Sequence, residues 1–288
     1  MAKLKISYVN MVTAYAGVTL SAGSWQASAP VSNLANRILA TKARSTDATT
    51  ASTQFRVNLG ASRVIQLMGL FGHNCTTAAT FRLTAGNSAG GSDLYDSGWL
   101  DVWPAVYLPE DLEWEDDNWW TGVLSEEDRE GYPIQLLHLL GQAVRAQHWT
   151  VEINDTTNGD GYVEAGYLWL GAVWSPERNY RYGAGLAWEH RSQIEQSLGG
   201  VIYVDERSPA RVWDFQLEAL TDVEAFGTVL ELQRKAGNSG YVVVIPDSDD
   251  AVRRHHRDIL GRMRRFDPIK QAFYGHQTFG GEIEEIVG

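Results

Sequence analysis

The sequence predicts a mainly β protein, with a β-sandwich over residues 1–176 followed by a smaller α+β domain over 177–288. Three observations carry that prediction. Short segments of period-two alternation, separated by glycine-rich turns, fill the first 175 residues. Past Pro176 a helix with a recognisable start enters between strands. A hydrophobic content of 44% and an aromatic content of 11%, spread over 288 residues, are enough to build two folded cores.

The elements follow in order. In Gln54-Phe55-Arg56-Val57-Asn58-Leu59 the apolar side chains alternate with polar ones, and Gly60 supplies a turn. The run from Val64 to Phe71 reads as a buried strand, and Phe81 and Leu83 mark a short one from Thr80 to Thr84. Residues 86–92 (GNSAGGS) are a flexible connection. Near Pro133 to Leu140 the apolar run suggests a short helix. Trp149, Val151 and Ile153 then alternate on one face, before Asn-Gly and Asp-Gly steps in 154–161 that suit turns with positive φ. Strand character resumes from Tyr162 to Trp174.

In the second half Trp213, Phe215 and Leu217 alternate as a strand. Thr221-Asp222-Val223-Glu224 fits a capping box, with Leu220, Ala225, Val229 and Leu232 placed for a single buried face. Gly237 to Gly240 ends that helix, Tyr241 to Ile245 is a strand stopped by Pro246, and the final GEIEEIVG is strand-like. No period of 20 to 50 residues repeats.

Composition excludes several classes. The net charge of −12 and a pI near 5.0 oppose general affinity for nucleic acid, whose phosphates need a basic face. The apolar runs are too short to cross a bilayer, and the N-terminal MAKLKISYVN has no apolar run leading to a cleavage site, so neither a membrane span nor a secretory signal is expected. A single cysteine rules out an intrachain disulfide and a multi-cysteine zinc site, and fits synthesis in a reducing cytosol.

The densest chemistry lies in an insertion over about 95–140. Between Glu110 and Glu130 ten carboxylates face one base, Arg129, a local charge of −9. Five of the eleven tryptophans share the neighbourhood: Trp99, Trp103, Trp114, Trp119 and Trp120. A disordered acidic tail would lack such rings, and a core strand would not tolerate so many charges. Two readings remain: a docking surface built on Trp103, Trp114, Asp116, Asp117, Trp119 and Trp120, or an ordered loop whose indoles fold back on their own domain.

Other constellations are weaker. The seven histidines fall in no HExxH motif, and neither a GxSxG elbow nor a phosphate-binding glycine loop is present, so no catalytic residue is assigned. His73 and Cys75 share a strand face, but a lone cysteine is first of all an apolar filler. Residues 154–161 superficially match a calcium loop, yet the twelfth position is Ala165, so a turn is expected and no metal or cofactor is called for.

Arg253, Arg254, Arg257, Arg262, Arg264 and Arg265 against Asp258 give +5 over thirteen residues. Read as a helix, they would put Arg253, Arg257 and Arg264 on one side and Val252, Ile259 and Met263 inward. That face, with Arg254, would complement an acidic neighbour, unless the charges pair locally. Trp169, Trp174 and Tyr180 are candidate sugar-stacking rings, with ordinary packing as the alternative.

The run from Ser24-Trp25 through Pro30, Ser32-Asn33-Leu34, Ala43-Arg44-Ser45 and Phe55 to Gly60 resembles the opening of discoidin-like (galactose-binding-like) β-sandwiches, a jelly-roll fold. Asn58 stands where that family ends a strand in Asp-Leu-Gly. The layout as a whole looks like tail-tip or baseplate proteins of long-tailed bacteriophages, which set such a sandwich before a small α+β module ending near a Glu-Ile strand, here Glu282 to Ile286. The resemblance implies a non-enzymatic structural virion protein. It would be made in the host cytoplasm, located in the tail, and assembled with other tail proteins and with copies of itself in a homo-oligomeric ring. The alternative is a carbohydrate-binding module contacting a host surface glycan.

Overall fold

The structure is a computed structural model describing residues 4–287. It is mainly β and divides into two compact units. One comprises residues 10–172, and the other combines residues 4–9 with 173–287.

The first unit is a sandwich organised by two long antiparallel strands, Phe55–Phe71 and Gln135–Asn154. Their pairing is interrupted by irregularities between Asn58 and Arg63 and again between Ile65 and Leu67. Bulges bend strands and increase their twist. The two ends of each strand therefore serve different layers. Phe55 to Asn58 pair with residues 148–151, and this layer also takes in Thr19–Ser21 and Thr80–Gly86. Leu67 to Phe71 pair with residues 135–139 and, on the other side, with Tyr167–Gly171. Gly60, at φ +70°, sits at the bend, where an L side chain would be strained.

The core between the layers follows the sequence pattern. Phe55, Val57, Leu59, Phe81, Leu83, Trp149, Val151 and Ile153 are all buried there. Trp25 meets Phe55 edge-to-face at 6.1 Å, and its Nε1 donates to the Ala22 carbonyl at 3.1 Å. The helix expected at 133–140 is instead the first part of the 20-residue strand. On that stretch both faces are at least partly covered, so the run loses its alternation and looks the same as a buried helical segment.

The second unit is built on an antiparallel sheet in the order Lys5–Ser7, Tyr241–Ile245, Ile259–Phe266, His276–Glu285, Ala210–Leu220, Gly185–Glu189. Lys270–Phe273 adds to His276–Glu285 as a hairpin. One face is covered by a helical segment that starts as a π-helical stretch, Val223–Val229, and continues as the α-helix Leu230–Ala236. The capping box forms as expected: the Glu224 amide donates to Thr221 Oγ1 at 3.3 Å, and the Thr221 amide donates to Glu224 Oε2 at 3.1 Å. Leu220, Ala225, Val229 and Leu232 are buried against Trp213, Phe215 and Val244. Residues 4–9 enter this unit because Ile6 pairs with Val244. Nothing in their local sequence announces that distant partner.

The arginine-rich segment is a correction. Only Arg254–Arg257 is helical, and Ile259–Phe266 is an interior strand. The apolar positions Ile259 and Met263 are buried as the helical reading required, because spacings of four satisfy a strand face as well as a helix face.

Candidate functional site

The insertion is anchored before it is exposed. It leaves the sheet at Leu100–Asp101, and Val102 and Trp103 drop into the sandwich core. Trp103 Nε1 donates to the Cys75 carbonyl at 3.2 Å, and the Arg129 guanidinium lies 4.9 Å from the indole centre. Trp103 is thus a foot of the loop and offers nothing to a partner, contrary to its expected place in an interface.

Beyond that foot the loop is fixed by its own polar groups. Buried Asn118 donates through Nδ2 to the Val123 carbonyl at 2.7 Å and accepts the Gly122 amide on its own carbonyl at 2.7 Å. The Gly122 carbonyl receives the amides of Val106 and Tyr107 at 2.8 and 2.9 Å. Gly122 has φ +62°, and a Cβ there would meet the Tyr107 carbonyl oxygen at 2.6 Å, so glycine is required. Asp116 caps the next turn by accepting the Glu113 amide at 2.8 Å. Further on, Ser125 and Asp128 hold the short helix Glu126–Arg129 in a reciprocal cap.

With Asn118 turned inward, its neighbours point outward. Trp114, Trp119 and Trp120 form a mutual edge-to-face cluster with ring centres 5.5, 6.1 and 4.7 Å apart. Trp114 is 71% and Trp120 78% exposed, while Trp119 is half-buried beneath them. Asp116 and Asp117 are exposed beside the rings. Among the described residues, none of the six carboxylates from Glu110 to Asp117 enters an ion pair. Large exposed indoles in a pinned loop lose little conformational freedom when a ligand covers them.

The arginine segment has the opposite character. Arg253 and Arg257 both reach Asp250, at 3.2 and 3.3 Å, and Arg257 also donates to the Tyr180 hydroxyl at 3.0 Å. Arg254 holds Asp258 at 2.9 Å. Arg262 pairs with Glu284 at 2.7 Å, and Arg264 pairs with Glu189 and Glu282. The expected docking face is therefore already neutralised by its own unit. Burial pushes the Asp258 carboxyl up to about 7, against the opposing pull of Arg254, Arg211 and Arg257.

One feature the sequence reading missed lies beneath it. Arg211 is buried and donates two bonds to buried Glu285, and its remaining donors reach the His255, His256 and Asp258 carbonyls at 3.2, 2.7 and 3.1 Å. An arginine beside strand-patterned apolar residues was the available signal.

The candidate sugar residues are divided between the two units. Trp169 is buried in the sandwich unit with Tyr167 at 6.3 Å, so its indole presents no free face. Trp174 and Tyr180 belong to the other unit and are half-buried there, Tyr180 packing edge-on to Trp213 at 5.5 Å. Each of the three packs within its own unit.

Cys75 is likewise a core residue, and burial pushes its thiol up to about 12, which removes it as a nucleophile. In residues 154–161 the Asp155 carboxylate accepts from Thr76 and Asn158, which makes it a turn brace. Among the described residues no group of three or more His, Cys, Asp or Glu side chains is placed to hold a metal, and no helix is long and apolar enough to cross a membrane.

No protein-family model matches the chain, and no curated protein sequence does. Solved structures are similar to it at low identity. The family 32 carbohydrate-binding module of Clostridium perfringens NanJ, in complex with galactose, has 13% identity and a TM-score of 0.37, covering 57% of this chain and 98% of that one. The lectin-binding domain of lectinolysin, complexed with Lewis b, has 11% identity and a TM-score of 0.37, covering 58% and 97%. A family 89 glycoside hydrolase from Clostridium perfringens has 14% identity and a TM-score of 0.37; the match covers 57% of this chain and 14% of the hydrolase.

Proposed function

We propose that the chain is a non-catalytic recognition protein whose sandwich unit takes a glycan on the Trp114–Trp119–Trp120 cluster. The observation that carries this reading is a pair of indoles more than two-thirds exposed on a loop braced at Asp116, Asn118 and Gly122. Sugar C–H faces stack on indoles, and sugar hydroxyls donate to carboxylates such as Asp116 and Asp117. The surrounding negative charge selects neutral or amino-bearing sugars and repels sialylated or sulfated ones. A glycan array with the whole chain tests it. Retention of neutral or amino glycans, lost when Trp114 and Trp120 are both changed to alanine, is expected. Binding unaffected by the double substitution sinks the proposal.

A second reading is favoured by a different observation, the amount of exposed apolar surface on the C-terminal unit, where Tyr182, Leu198, Val223, Phe273 and Tyr274 are each at least 74% exposed. Such a surface suits a chain built into an assembly, such as the tail tip or baseplate of a long-tailed bacteriophage, with other tail proteins and further copies of itself as partners. There the tryptophan cluster would dock on a basic neighbour. Mass spectrometry of purified phage particles that finds the chain at stoichiometric level supports this reading, and its absence from particles refutes it.

A further inference from the structure

The C-terminal unit carries a hairpin that belongs to no larger sheet. Gln193–Gln196 pairs only with Ile202–Asp205, and every residue of both strands is exposed. Isolated two-stranded hairpins are marginal in water. This one is also strongly amphipathic. The register sets Ile194 opposite Val204 and Gln196 opposite Ile202, so three apolar side chains share one face, while Glu195, Tyr203 and Asp205 take the other. Leu198 and Val201 extend the apolar character to the tip. Ile194 is 70%, Leu198 112%, Val201 55%, Ile202 61%, Tyr203 62% and Val204 52% exposed. Without Tyr203, which lies on the other face, the five aliphatic side chains offer on the order of 600 Å² of surface, about three-quarters of the roughly 800 Å² each partner contributes to a standard interface.

The same unit presents a matching receiver. The helical segment from Val223 to Ala236 buries Ala225, Val229, Leu232 and Ala236, while Val223, Phe226 and Leu230 are left 80%, 55% and 48% exposed on its outer side. In the wider π-helical turn Phe226 and Leu230, four residues apart, stay near one line, and Val223 stands at the start of the segment before them. In a single molecule the arm and the stripe are both uncovered. We infer that the hairpin of one copy docks its apolar face on the Val223–Phe226–Leu230 stripe of a second copy. Such a contact is heterologous, joining two different patches, so it propagates into a ring or an open chain instead of stopping at a dimer. The inference is independent of the glycan reading and deepens the assembly reading, naming the surface through which copies meet.

The test uses the purified full chain. Light scattering coupled to gel filtration, over micromolar to hundreds of micromolar protein, is expected to show mass rising past the dimer. Ile194→Asp with Val204→Asp on the arm, or Phe226→Asp with Leu230→Asp on the stripe, is expected to raise the concentration required by about 100-fold. All four positions are at least 48% exposed, so the variants keep their fold, which circular dichroism melts verify. Mixing the arm variant with the stripe variant is expected to yield a 1:1 dimer and nothing larger, because one intact contact survives. A wild-type chain that stays monomeric throughout overturns the inference, and so does a stripe variant that associates like wild type. Monomeric protein that is nevertheless found in particles would sink this contact while leaving the assembly reading standing.

Discussion

The acidic loop and the arginine-rich segment are mirror images in sequence and opposites in structure. From Glu110 to Glu130 the charge is −9, and from Arg253 to Arg265 it is +5. The arginines lie beside acidic strands and are paired in place, Arg262 with Glu284 and Arg264 with Glu282 and Glu189. The acids from Glu110 to Asp117 are exposed on a loop and, among the described residues, enter no ion pair. Charge density in a sequence therefore says little about availability. What decides it is whether the topology delivers a counter-charge on a neighbouring strand.

The largest expected effect lies under the arginine segment. Arg211→Ala leaves Glu285 buried without its partner and removes the donors to three carbonyls. Breaking a buried pair from one side costs about 3–5 kcal/mol. Urea unfolding followed by circular dichroism measures this, and a loss below about 1 kcal/mol would mean the pair is wetter than its geometry indicates. Next comes Trp103→Ala, expected to cost about 3 kcal/mol, toward the low end for a core tryptophan because the residue sits at the loop's exit from the core. Equal stability costs for Trp103 and Trp120 would erase the distinction between foot and exposed ring.

These two residues also show what was legible beforehand. Alternation exposed the sandwich strands, because Phe55, Val57 and Leu59 or Trp149, Val151 and Ile153 face a core on one side only. The capping box placed the start of the helical segment for the same local reason. Pairings between distant residues left no local trace. Arg211 with Glu285, and Ile6 with Val244, join positions whose neighbours say nothing about each other. In the candidate site, the sequence grouped five tryptophans, and only the backbone turns at Asn118 and Gly122 sort Trp103 inward from Trp114 and Trp120 outward.

A middle-sized effect depends on pH. Burial raises the Asp258 carboxyl to about 7, whereas in an unfolded chain it titrates near the ordinary value of 3.8. Between those values the folded state holds a proton that the unfolded state has released. Stability from this group is therefore complete below about pH 4 and falls as pH rises toward 7. The rise from 3.8 to about 7 sets the loss at about 4 kcal/mol at most. Asp258→Asn is expected to flatten the dependence between pH 5 and pH 8 in parallel urea melts. A wild type whose stability rises across that window contradicts the assignment.

The smallest effect on stability is expected where the effect on binding is largest. Trp120→Ala removes a ring that is 78% exposed, and Glu115→Gln with Asp117→Asn removes two exposed charges that take part in no ion pair among the described residues. Surface changes of this kind shift stability by no more than about 0.5 kcal/mol. If the loop is a recognition surface, Trp120→Ala weakens glycan retention by about 10-fold or more, because the stacking face is gone. The two neutralisations act differently: they leave stacking intact and lower the local charge from −9 to −7, so the wild type's discrimination against sialylated glycans weakens. Stability and binding that fall together in Trp120→Ala would mean the cluster holds its own loop together. Stability held with binding lost, and selectivity relaxed by charge removal alone, separates a surface built to meet a ligand from one built to pack.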